Sequence, residues 1–405
     1  MNRTVYFQID RTTWPSAPTP PRFPRAFMGL GPVDIDIPSM LLTVGFLTTP
    51  ASATGVSLSE FWAYVRYLAA MTNDSDLRLS RAFADLDAHQ KTILSDDFGM
   101  GVPMNWLTSA LDLHDICDGR YFVDRFAARV GAHSAKSAKR GPSKTPDFVA
   151  RDGRGVWHVI ECKGTQSGGT YQARQIGEAG PPPTGGIAQK RSLVFPKGYS
   201  GQRLVCALSI AVEGGAGSSR LRIVDPEPED PIVVEASQIA FAVDAGERST
   251  VARALRLAGF EATADVTAAP WGRYAWSRPT TDRRSEELRA KDVEARQDAA
   301  RAELADDDRI SWNSGGDRYI GREVTIPLPR EIKIDGERVR RVYLRQGVNS
   351  DVLGELRNRP TVEDQLDGSE TEWEAAIGKT RTTSDGNNAQ LMVGQLFRSE
   401  MRLES

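Results

Sequence analysis

Along the first fifty residues, apolar and polar positions follow no helical period. The alternation in VDIDI and the apolar run MLLTVGF predict short strands among prolines. Helical spacing begins at residues 57–70 (SLSEFWAYVRYLAA), where Ser57 as N-cap and Glu60 three residues on form a capping-box pattern. A second helix is predicted from about residue 76 to 94. The segment SDDFGMGVP breaks it with glycines and a proline, which places a domain boundary at Pro103.

From Trp106 to Val130 the spacing is helical again, with an interruption at Asp118-Gly119, and GRYFVDRFAARVG reads as an amphipathic helix. A polar basic loop follows. TPDFVAR and VWHVIECK then read as two strands joined by Asp152-Gly153-Arg154-Gly155, a hairpin signal. After a Gly/Pro-rich loop come a short helix around IAQKRSLVF and a buried strand, RLVCALSIAV. The order helix, strand, strand, helix, strand predicts a mixed α/β core. Further on, RLRIVDP and PIVVEA predict strands, RSTVARALRLAGF a helix, and residues 279–309 a highly charged, solvated helix. A β-hairpin turning at Asp335-Gly336 follows, and the last thirty residues read as polar and loose.

The hairpin carries the chemistry. Period 2 puts Glu161 and Lys163 on one face of their strand and turns Cys162 away. A loop centred on Arg154 sets Asp147 directly across from Glu161, with Cβ atoms about 5 Å apart. Two carboxylates held that close repel unless a cation lies between them, and a few hard oxygen ligands suit Mg²⁺, with Mn²⁺ as a substitute. Lys163 points into the same pocket, where it serves a water or a phosphate. The main-chain carbonyl of Cys162 is a further candidate ligand. The bland alternative is a solvent-exposed hairpin with ordinary surface charges, and VWHVI is too apolar for that.

These residues, P-D followed by E-C-K, resemble the motif of the PD-(D/E)XK nuclease superfamily, the restriction-endonuclease-like fold. The resemblance spans roughly residues 118–212, under a quarter of the chain, and a first strand of the family's αβββαβ core is not evident. It implies that Asp147 and Glu161 bind the metal and that Lys163 assists the nucleophilic water. It also implies an acid on the first helix, for which Asp118 is the candidate, and a glutamine on the second, for which Gln189 is.

The fold expected is therefore α/β: a restriction-endonuclease-like core, with a central mixed sheet flanked by helices, over residues 104–225. An α/β N-terminal region (1–103) and an α+β C-terminal region (226–405) are accessory, for recognition, dimerisation or docking. The activity expected is Mg²⁺-dependent endonucleolytic hydrolysis of phosphodiester bonds, chiefly in double-stranded DNA, in restriction or anti-phage defence. A homodimer, or an NTPase or other defence-complex partner, fits such a role. The alternative is a nucleic-acid-binding or scaffolding subunit whose cutting is dormant or gated by its partner; RNA is a third target class.

Composition enters here because it bears on the substrate. The 405 residues carry 51 Lys+Arg against 54 Asp+Glu, a net charge of −3, which taken whole argues against a non-specific nucleic-acid binder. Residues 116–205, however, hold 15 Lys+Arg and 6 Asp+Glu, a net of +9, between acidic flanks. Within that segment Lys136, Lys139, Arg140 and Lys144 lead into Asp147, and with Lys190 and Arg191 they are candidate phosphate contacts. Three cysteines without a CxxC pair predict a reducing, cytoplasmic setting, and no apolar run is long enough for a bilayer.

Several other signals carry less. Asp97-Phe98-Gly99 spells a kinase metal motif without its partners, and no P-loop is present. His114 and Cys117 lack a second zinc pair. His158 is out of phase with Glu161 and Trp157 in phase, the latter expected in core packing. Arg338, Arg340, Arg341 and Arg345 read equally as a second nucleic-acid contact or an exposed strand face.

Overall fold

The computed structural model describes residues 1–14, 31–51, 63–130, 145–178, 185–190, 193–225, 232–269, 283–306, 308–358 and 372–405. Its centre is a mixed seven-stranded sheet with helices on both faces. In chain order the strands are β1 (Asn2–Ile9), β2 (Gly31–Asp36), β3 (Leu113–Asp118), β4 (Phe148–Asp152), β5 (Trp157–Thr165), β6 (Ser200–Ser209) and β7 (Arg220–Val224). They lie in the order β2-β1-β7-β6-β5-β4-β3. Strands β3, β4 and β5 form an antiparallel meander, and β6 returns parallel to β5 after a helical crossover. The N-terminal strands extend this same sheet, β1 pairing with β7.

The hairpin forms as its sequence predicts. Phe148 pairs with Ile160 and Arg151 with Trp157, so the register centres on Arg154. Asp152 closes the loop by accepting from the Arg154 and Val156 N–H groups at 2.9 Å each, and Gly155 supplies a φ of 78° that a side chain would resist.

Several predicted elements differ. MLLTVGF belongs to helix α1 (Ile37–Thr48), where Asp36 caps the Ser39 N–H at 2.9 Å and Pro38 sits in the first turn. The run is buried all round, so it shows no amphipathic period. The predicted helix over 76–94 is instead a short strand and a four-residue turn of helix, and the chain restarts at Asp87, whose carboxylate caps α2 (Ala88–Ala110). That helix runs straight through SDDFGMGVP, so the boundary expected at Pro103 falls inside a helix. Its glycines serve close packing: a Cβ on Gly99 would stand 2.5 Å from the Gly164 Cα of β5. The predicted helix after Trp106 gives way at Leu113 to β3, where no strand is expected, and resumes as α3 (Gly119–Val130).

Two short helices, α4 (Gly169–Ile176) and α5 (Gly185–Lys190), make the crossover from β5 to β6, and α6 (Ile239–Leu257) packs against β3 and α3. The charged segment forms α7 (Arg283–Leu304). The last residues, expected to be loose, are strands of a second, antiparallel six-stranded sheet built on the predicted hairpin at Asp335-Gly336. No helix among the described residues is long and apolar enough to cross a membrane.

Candidate functional site

Asp147 precedes β4 by one residue, so the register carries it opposite Glu161, and it is tied to the facing strand by two bonds. The Asp147 N–H donates to Glu161 Oε2 at 3.1 Å, and the Cys162 N–H donates to Asp147 Oδ2 at 2.7 Å. Lys163 Nζ forms an ion pair with Glu161 Oε1. Glu161 is fully buried and Lys163 partly so.

Electrostatics sharpen the picture. Burial pushes the Glu161 carboxyl up to about 8, and the charge of Asp147 adds to the rise while Lys163 opposes it. Burial likewise raises Asp147, against the pull of Lys163 and of the Cys162 N–H, with Asp118 adding a further push. For Lys163, burial acts to lower the ammonium, but the charges of Glu161 and Asp147 outweigh it and raise it. Asp147 thus disfavours the ionisation of Glu161, and Lys163 opposes the rise at both acids.

Among the described residues no three His, Cys, Asp or Glu side chains converge tightly enough to hold a metal ion by themselves. Two carboxylates do fit Mg²⁺, which keeps much of its water shell. A third oxygen is at hand. The N–H and C=O of a strand residue point to the same edge; the Cys162 N–H bonds Asp147, so its carbonyl belongs to that same edge. The Cys162 thiol is buried and turned away, as the period requires.

Asp118 ends β3 rather than standing on the first helix. Its Oδ1 accepts from the Tyr121 N–H at 2.8 Å and so caps α3, close enough to act on Asp147 electrostatically. The acid that the preceding helix brings is Asp96, which sequence reasoning missed. Burial raises its carboxyl, Lys163 lowers it and Asp147 raises it, so it shares their field. The missed signal was helical spacing: Asp96 lies one turn before Gly99, the residue that touches β5.

Gln189 and Lys190 belong to α5, and their side chains lie outside the described residues, as do Lys136, Lys139, Arg140, Lys144 and Arg191 altogether. The helix itself stands over the site, since a Cβ on Gly186 would meet the Glu161 side chain at 3.3 Å. His158 turns away from the site, accepting the Gln202 N–H at 3.0 Å. Trp157 is core, stacked on Phe195 with ring centroids 5.1 Å apart. Arg340 pairs with Glu331, and Arg345 with Glu400 and over Trp312, so both join acids or rings on the second sheet.

Comparison of the chain with known protein families, with curated proteins and with solved structures finds no match.

Proposed function

We propose that this protein is a divalent-metal-dependent nuclease that hydrolyses phosphodiester bonds in DNA, built on a restriction-endonuclease-like core. The observation that carries the reading is the pair of bonds across one hairpin, from the Asp147 N–H to Glu161 and from the Cys162 N–H to Asp147, with Lys163 ion-paired to Glu161. The element order supports it: apart from α3, which is inserted between β3 and β4, the elements α2, β3, β4, β5, the crossover helices and β6 follow the αβββαβ sequence that the P-D…E-C-K resemblance implies.

In this reading Asp147, Glu161 and the Cys162 carbonyl hold Mg²⁺. When bound, the ion supplies positive charge against the phosphate as negative charge builds on it. The ammonium of Lys163 hydrogen-bonds and orients the attacking water. The water loses a proton to solvent as its oxygen bonds to phosphorus, the bond to the leaving oxygen breaks, and that oxygen takes up a proton from solvent. Pairing with Glu161 keeps Lys163 charged and aimed before substrate arrives.

The test is to incubate the protein with supercoiled plasmid, linear duplex and single strands in Mg²⁺, Mn²⁺ and EDTA. Cleavage that needs metal and disappears in Lys163→Ala and Asp147→Ala is expected. Cleavage that persists in EDTA or in either variant would overturn the mechanism, and binding without cleavage under every metal would favour a scaffolding role.

A further inference from the structure

The sheet face that bears Glu161 and Lys163 continues beyond β5. Cross-strand partners share a face, and the register passes it from Lys163 and Thr165 to Ala207 and Ser209 on β6. It continues to Arg222 and Arg220 on β7, then to Gln8 and Tyr6 on β1. Helix α4 covers part of this face and stops short of its far side. There a cleft of about 550 Å³ opens, lined among others by Gln8, Gln166, Gln172, Ser209, Arg220 and Arg222. Among the described residues its lining holds two arginines and no carboxylate.

The two arginines differ. Arg222 is held by both oxygens of Glu178, at 2.7 and 2.8 Å, and lies 3.8 Å from Asp10. Arg220 is exposed, and among the described residues no carboxylate pairs with it. Its main chain is fixed, because the buried Gln172 amide donates both to the Arg220 carbonyl at 3.0 Å and to the Ala207 carbonyl at 2.7 Å. A further acid nearby, Asp76, accepts from the hydroxyl of Ser218, a lining residue, at 2.8 Å. With strands about 4.8 Å apart and residues about 3.3 Å apart along them, Arg220 stands about 12 Å from Lys163 on one continuous face.

We propose that this cleft is a second phosphate site for the DNA backbone, in which Arg220 binds a phosphate a few nucleotides from the bond cut at Lys163, flanked by the neutral amide of Gln8 and hydroxyl of Ser209. It rests on the nuclease reading for the strand it receives, and it makes Arg220 a positioning residue. A cation without a competing acid, among neutral donors, suits a phosphate diester and gives no base readout. The cleft aligns the strand and leaves the chemistry to the hairpin.

The experiment uses the full chain and a fluorescent DNA oligonucleotide. In EDTA, Arg220→Ala is expected to weaken binding five- to tenfold at 0.1 M salt, equally for unrelated sequences. It should also reduce the slope of log K against log salt by about one, with Arg220→Lys restoring part of the affinity. In Mg²⁺ the same variant should raise KM by a similar factor and leave kcat within twofold. Unchanged affinity and salt slope, or a fall in kcat at unchanged affinity, would overturn the cleft's role. Absence of cleavage by the unaltered protein would overturn the nuclease reading alone, because the EDTA titration still reads Arg220. Absence of DNA binding by the unaltered protein would overturn both.

Discussion

The Asp147 N–H donates to Glu161 Oε2, and Asp147 Oδ2 in turn accepts from the residue after Glu161, so each acid is held by the other's strand. These bonds hold the buried Glu161 and the half-buried Asp147 side by side against their repulsion. A divalent cation bound there stabilises the folded state by mass action, by about 3 kcal/mol at a hundredfold excess over Kd. Saturating Mg²⁺ is therefore expected to raise the melting temperature by several degrees in scanning calorimetry. Asp147→Asn and Glu161→Gln should abolish most of that rise. A shift of equal size in both variants would place the ion elsewhere.

Gly164 is where α2 meets β5. A Cβ on Gly164 would stand 1.6 Å from the Ser95 carbonyl oxygen, a rigid main-chain atom, so Gly164→Ala must push the helix off the strand. Overpacking of this kind costs about 1–3 kcal/mol or more. The displaced helix carries Asp96, and the strand carries Lys163. Cleavage is expected to fall more than tenfold in Gly164→Ala even at temperatures where circular dichroism shows it folded. Full activity in the folded variant would show that the helix is irrelevant to the site.

Where the sequence could be read, the reason is local. The hairpin register follows from period 2 and a loop with glycine at the strained position, both written within nineteen consecutive residues, 147–165. Helix α2 was not legible, because Gly99 and Gly101 look like breakers until their tertiary partners are known: Gly164 for the first, Val44 for the second. Asp96 was lost with it. The C-terminal strands were misread for a different reason. In FRSEMRLE the inward residues Phe397, Ser399, Met401 and Leu403 alternate strictly with polar ones, so the average is polar while the pattern is that of a sheet with one wet face.

Arg151 bridges two acids beneath the hairpin, Asp115 at 2.6 Å and Glu247 at 2.8 Å, and its guanidinium lies 5.9 Å from the Trp157 ring. Asp115 is wholly buried. Arg151→Met removes the shared cation and leaves two buried carboxylates facing each other, a loss of about 3–5 kcal/mol. Chemical denaturation should report it as a lower midpoint. Adding Asp115→Asn and Glu247→Gln to that variant removes the stranded charges and is expected to recover most of the loss. Failure to recover would mean that the guanidinium acts through packing on Trp157.

Asp97 gives a pH signature. It is buried, it accepts a hydrogen bond from the Tyr67 hydroxyl, and no cation pairs with it among the described residues. Burial pushes its carboxyl up to about 6 from 3.8, with the Tyr67 bond opposing and Asp96 adding to the rise. Between those values the folded chain binds the proton and the unfolded chain does not, so this group's contribution to stability falls as pH rises from about 4 to 6 and is flat beyond. At about 1.4 kcal/mol per pKa unit, the fall is on the order of 3 kcal/mol. Asp97→Asn keeps an acceptor for Tyr67 and carries no charge, so it should leave stability at pH 4 nearly unchanged and raise it at pH 7.5. Melting curves of the two proteins across that range check the sign. A variant less stable than the unaltered chain at pH 7.5 would show that the Tyr67 bond to the ionised carboxylate outweighs the burial of its charge.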